Sequence, residues 1–112
     1  MINYNGKQFK AVDNTPNGAT SEETIFHYVQ HGNILTAAYK GGKIKTGHLI
    51  GIVNEKGEID MRYHQIDQQN QLMTGVCQSV PEMLPNGKIR LHEAWQWTSG
   101  DCSKGTSVIE EL

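Results

Sequence analysis

Apolar and polar residues alternate with period two along most of the chain. They do so in short segments rich in Ile, Val, Thr and aromatic residues, each ended by a glycine or asparagine turn. This rhythm predicts strands. A first strand is expected over residues 5–12, and the stretch DNTPNGATSEE that follows has the Asn, Pro, Gly and Ser content of a loop. TIFHYVQHG alternates up to a turn at Gly32 and Asn33, and ILTAAYK runs on to Gly41 and Gly42, a pair suited to the positive φ of a tight hairpin. In the fourth strand, KIKTGHLIGIV, Gly47 and Gly51 lie four apart on one face and allow sharp coiling or close strand contact. EIDMRYHQI, QLMTGVCQSV, KIRLHEAWQWT and a short TSVIEE complete the set, separated by NEKG, DQQN and PEMLPNG. The nearest approach to a helix is SEETIFHYV, where Ser21 and Thr24 have a capping-box look, yet its β-branched and aromatic residues favour a strand.

Eight consecutive antiparallel strands with short turns must hide their edges, and closing the sheet on itself does so. The expected fold class is therefore all-β, an eight-stranded antiparallel up-and-down barrel, calycin- or lipocalin-like, with little or no helix. Its interior has room for side chains or one small ligand. A two-layer β-sandwich uses the same alternation and stays open as an alternative. At 112 residues the chain makes one domain, residues 1–112.

Inside a barrel each strand offers one inward set, and the seventh strand is the easiest to orient. Lys88, Arg90, His92 and Gln96 share a wet face, so Ile89, Leu91, Glu93, Trp95 and Trp97 are expected to point inward. The same test turns Leu72, Thr74, Val76, Gln78 and Val80 inward on the sixth strand, and Ile59, Met61 and Tyr63 on the fifth. Arg62 then faces out, unless a bulge or one-residue slip exchanges the two sets. A carboxylate in such a lumen costs several kcal/mol unless paired. Glu93 is thus either a satisfied core acid, paired with Arg62 or hydrogen-bonded to Tyr63 and Gln78, or a ligand contact. In the second reading Trp95, Trp97 and Tyr63 are walls, and Glu93, Gln78 and Arg62 are polar groups.

Composition narrows the partners. Lys and Arg number 10 against 12 Asp and Glu, with net charge -2 and pI near 6.2, which leaves no basic excess for nucleic acid. No segment approaches the roughly 20 apolar residues of a membrane helix and the amino terminus has no leader-like run, so the chain is expected to be soluble and cytoplasmic. Cys77 and Cys102 lack CxxC spacing, and their pairing is left open. His27, His31, His48, His64 and His92 make no metal-ligand spacing; His27 and His48 share faces with Ile25, Val29, Ile50 and Ile52 and are expected as core or rim residues. No serine has a nucleophile-elbow context, and GDCSKG lacks both the GxxxxGK[ST] pattern and a following helix, so it is expected as a polar turn. No catalytic residue, metal or cofactor is indicated.

The words IFHYVQHGNILTAAYKGGKIKTGHLIGIV, MRYHQI, LMTGVCQS, PEMLPNGKIRLHEAWQWTSGD and SVIEE, in that order, resemble a small bacterial family labelled N-acetylglutamate synthase. The resemblance implies a small cytosolic protein of calycin-like shape, and its label implies acetyl transfer from acetyl-CoA to glutamate. The chain lacks the Q/R-x-x-G-x-G/A turn and following helix with which the usual acetyltransferase fold holds the CoA pyrophosphate. Three functions remain in view: binding of a small metabolite in the lumen, the acetyltransferase of the label, and a homodimer or interaction module with a filled core. Phe26 and Tyr28 motivate the third, since they oppose Ile25, His27 and Val29, and one of the two sets is either lumen or an exposed apolar patch.

Overall fold

A computed structural model describes residues 2–112. Its eight strands are β1 (Gln8–Asn14), β2 (Ile25–His31), β3 (Ile34–Gly41), β4 (Ile44–Val53), β5 (Ile59–Asp67), β6 (Leu72–Met83), β7 (Ile89–Trp97) and β8 (Lys104–Glu111). Each pairs antiparallel with the next, and β1 pairs with β8 to close the barrel. The expected fold class therefore holds, and no helix occurs among the described residues. The open two-layer sandwich is set aside. The first strand runs two to three residues later than expected, because Tyr4 and Gly6 are drawn across the end of the barrel before pairing begins.

The turns follow from local chemistry. Between β2 and β3, Gly32 takes φ 62° at the first of two turn positions, as a II′ hairpin requires. Three other hairpins share one design: a residue with positive φ, Gly57, Asn70 or Gly87, donates its N–H back to the carbonyl of Asn54, Asp67 or Leu84. Side chains of Asn54, Asp67 and Asn86 cap the backbone N–H groups of the following residues in these turns.

The two ends of the barrel differ. At the end near the β2–β3, β4–β5 and β6–β7 turns the interior is solid, filled by Tyr4, Phe9, Tyr28, Leu35, Ile59, Leu91 and Ile109, all fully buried. The rings of Phe9 and Tyr28 lie 4.7 Å apart, and the residue 2–7 segment plugs this end through Tyr4, whose hydroxyl donates to the Gly57 carbonyl. The other end is roofed by the loop of residues 15–24.

Inward and outward sets can now be read directly. On β7, Ile89, Leu91, Glu93, Trp95 and Trp97 all face the interior, and on β5 so do Ile59, Met61, Tyr63 and Gln65. On β6 the expected register is inverted. Gly75, Cys77 and Ser79 point inward, while Leu72, Gln78 and Val80 are exposed. The reason is space: Gly75 lies directly between Tyr63 and Trp97 of the neighbouring strands, and inward residues there must be small. His27 and His48, expected in the core or at its rim, lie on the outer surface, as do Val29, Ile50 and Ile52. Phe26 and Tyr28 are the interior set of β2.

Candidate functional site

The roofed half of the barrel holds a cavity of about 50 Å³. Its walls are Phe26, Tyr39, Leu49, Met61, Tyr63, Trp95 and Trp97, its deep end carries Glu93, Cys77 and Ser107, and Asn14, Gly18, Ala19 and Thr20 form its mouth with Gln65. A broader open depression of about 530 Å³ lies on the outer face between His48, Arg62, His64 and Thr98. None of the residues that line it carries a buried unpaired polar atom, which separates it from the inner cavity.

Three aromatic walls owe their places to glycines on the adjacent strand. Tyr39 pairs with Gly47, Tyr63 with Gly75 and Trp95 with Gly105. A Cβ at these glycines would meet the ring at 2.5, 2.2 and 2.3 Å respectively. Each ring therefore lies back over bare backbone and leaves the lumen free. Phe26 and Tyr39 stack with centroids 4.8 Å apart, while Trp97 stands edge-on to Tyr63 at 5.7 Å and 5.5 Å from Trp95.

Glu93 occupies the boundary between the solid and hollow halves. It is directly paired with Ser79 on β6 and Ser107 on β8. The Ser107 hydroxyl donates to its Oε1 at 3.1 Å. Ser79 Oγ stands beside the carboxyl without completing a hydrogen bond by geometry. The part of Glu93 that remains accessible opens into the cavity, and protein surrounds the rest. Burial accordingly pushes its pKa up from 4.5 to about 7, against the opposing effect of the Ser107, Ser79 and Cys77 side chains. Burial also raises the hydroxyl pKa of Tyr28, Tyr39 and Tyr63 and the thiol pKa of Cys77, and the nearby Glu93 carboxylate adds to each. The acid is thus the one group of the cavity that changes charge near neutral pH.

Several polar atoms here have no protein partner. Tyr39 donates its hydroxyl proton to Gln65 Oε1 at 3.0 Å, which leaves the buried Gln65 Nε2 without an acceptor. Asn14 donates to Thr20 Oγ1 at 2.8 Å, and its Oδ1 accepts nothing. In the packed half of the barrel the buried Tyr28 hydroxyl is likewise unpartnered. Unmet donors and acceptors at buried positions cost about 1–3 kcal/mol each, and two of them, on Asn14 and Gln65, belong to residues that line this hollow.

The roof is tied to the far wall. Trp97 Nε1 donates to the Asn17 carbonyl, and Asn17 Nδ2 donates to the Lys104 carbonyl at 2.8 Å and to Ser103 Oγ. Gly41 lets this loop close in, because a Cβ there would fall 1.9 Å from the Glu23 carbonyl oxygen.

Of the residues singled out from the sequence, Tyr63, Glu93, Trp95 and Trp97 meet in this cavity. Gln78 and Arg62 do not. Both lie on the outer surface, bonded to the same Asp60 carboxylate at 2.7 and 2.6 Å. The suggested Arg62–Glu93 pair is absent for the same reason. Gln65, Asn14, Tyr39 and Ser107 were missed, while Phe26, left open between lumen and exposed patch, lies in the lumen. Gln65 was within reach, being two residues beyond Tyr63 in the inward register, and Tyr39 stands opposite a strand glycine. Asn14 and Ser107 carried no comparable signal.

The acetyltransferase label finds no support. Among the described residues no helix offers the N-terminus on which a CoA pyrophosphate rests. Cys77 is buried and Cys102 exposed, both as free thiols, and no three metal-ligating side chains converge among the described residues. No helix there is long and apolar enough to cross a membrane. No curated protein and no solved structure matches the chain. Residues 2–112 match the model of a family described as avidin-like protein, and with nearly its whole length matched, the chain belongs to that family.

Proposed function

We propose that this protein binds a small molecule in the roofed half of its barrel. The observation that carries this reading is the conjunction of a hollow with unmet polar atoms. Gln65 and Asn14, whose Nε2 and Oδ1 are buried without a partner, and the half-buried Glu93 all line a hollow between aromatic walls, where a purely structural core would have packed Leu or Val. Membership of the avidin-like family supports small-molecule binding and makes a biotin-like ligand the first candidate. A ligand would enter between Asn14 and the residue 18–20 segment that line the mouth. Differential scanning fluorimetry with biotin and a panel of neutral heterocycles tests the reading. A ligand at a hundred times its Kd adds ~2.7 kcal/mol of stability, and Trp95 and Trp97 should report its arrival by fluorescence. A panel that shifts neither melting nor emission sinks the proposal.

A second, compatible reading is self-association. Ile34, Ile50 and Ile52 form an exposed apolar row on β3 and β4, with Val29 on β2 beyond Thr36, bordered on β5 by the exposed pair Asp60 and Arg62. A second copy related by a two-fold axis meets such a face with its own apolar residues and charges of both signs.

A further inference from the structure

The charge inventory of the cavity is one-sided. Among the described residues that line it, Glu93 is the only carboxyl, and none is Lys, Arg or His. Every strand supplies neutral neighbours: Asn14 from β1, Phe26 and Tyr28 from β2, Tyr39 from β3, Leu49 from β4, Tyr63 and Gln65 from β5, Cys77 and Ser79 from β6, Trp95 and Trp97 from β7, and Ser107 from β8. The phenols and the thiol stay protonated through neutral pH, because burial raises them all. The carboxylate therefore has no internal counter-cation. Around it stand aromatic rings whose faces attract positive charge, as in the aromatic cages that hold ammonium groups. Farther out, the buried Gln65 Nε2 seeks an acceptor.

Building on the small-molecule reading above, we propose that the cavity selects a small protonated amine. Its ammonium group pairs with the Glu93 carboxylate, and its apolar body lies between Trp95, Trp97 and Tyr39. A cavity of about 50 Å³ suits a short amine rather than a bulky one. A neutral ligand would need no ionised acid; this one does. Below the Glu93 pKa of about 7, binding runs as carboxylic acid plus ammonium to carboxylate–ammonium pair plus one released proton. The amine, with an ordinary pKa of about 10.4, stays charged throughout.

The experiment uses the full chain and three matched probes, n-butylammonium, n-butanol and butyrate, followed through the indole N–H signals of Trp95 and Trp97 by NMR at pH 6 and pH 8. Butylammonium is expected to bind about tenfold tighter at pH 8 than at pH 6, since the ionised fraction of Glu93 rises by about that factor. Butanol should bind more weakly and without pH dependence, butyrate should not bind, and E93Q should lose at least tenfold in affinity for the cation alone. The pH comparison stands on the unmodified protein, so it decides the matter even if the variant misfolds. Equal affinity for butanol and butylammonium, or a cation affinity that ignores pH, overturns charge selection and leaves the small-molecule reading intact. Silence of both indole signals towards all three probes overturns the amine proposal, and the heterocycle panel then decides separately whether the broader reading falls too.

Discussion

Glu93 shows how one residue can be costly and retained. Its pKa rise from 4.5 to about 7, at ~1.4 kcal/mol per unit, makes ionising it in the folded protein cost roughly 3 kcal/mol of stability. The sign follows from proton counts. Between about pH 4.5 and pH 7 the folded state holds a proton that the unfolded state has lost, so this group makes stability fall as pH rises across that window, with the full cost present above it. Asp60 and Asp101 act in the opposite sense, since hydrogen bonds from Arg62 and from Ser103 lower their pKa values. The isolating measurement is therefore a difference: urea unfolding of the protein and of E93Q at pH 5 and pH 8. E93Q should gain on the parent by about 2–3 kcal/mol between the two pH values. A gap that stays constant would mean that Glu93 is solvated rather than enclosed.

At the scale of strands, the cavity exists because large rings and glycines alternate around the barrel wall. The pairs Tyr39–Gly47, Tyr63–Gly75 and Trp95–Gly105 repeat one device on successive hairpins. A methyl at position 75 would meet the Tyr63 hydroxyl at 2.2 Å, which leaves two outcomes: the ring swings into the lumen, or β6 moves off. G75A is expected to lose about 1–3 kcal/mol of stability as an overpacked site and to close the cavity to whatever probe the unmodified protein binds. Denaturation and tryptophan fluorescence check both. Unaltered binding would show that Tyr63 is not a wall. The same device explains what the sequence concealed. Alternation made all eight strands, their order and the inward set of β7 legible, because Lys88, Arg90 and Gln96 mark the wet face plainly. On β6 the rule that larger apolar residues face inward failed, since the rings of Tyr63, Trp95 and Trp97 already fill that wall and only Gly75, Cys77 and Ser79 fit beneath them. Gln78 was misplaced in consequence. Asn14 reaches the cavity only because the 15–24 loop folds over the mouth, and no local pattern encodes that.

For the molecule as a whole, the outer surface carries the complementary half of that inversion. Residues that alternation would have buried, Ile34, Ile50 and Ile52, are 49%, 57% and 60% exposed, and Ile34 pairs directly with Ile52 across β3 and β4. A row of isoleucines on a solvated sheet face is unusual for a monomer, and here it adjoins an Asp60–Arg62 pair at 2.6 Å that exposure makes weak within one copy. A symmetric dimer would cover the isoleucines and let each arginine reach the partner's aspartate as well as its own. Burying one such side chain contributes about 1.5–3 kcal/mol, and every 1.4 kcal/mol is tenfold in affinity. Sedimentation velocity over a dilution series should therefore show self-association in the unmodified protein, with Ile52→Lys weakening it by at least about tenfold. Because position 52 points away from the lumen, that variant should keep the response of Trp95 and Trp97 to cavity ligands. A protein that sediments as a monomer at every concentration would return these isoleucines to the ordinary solvated surface, whereas loss of cavity binding together with the dimer would mean that the two copies complete one another's sites.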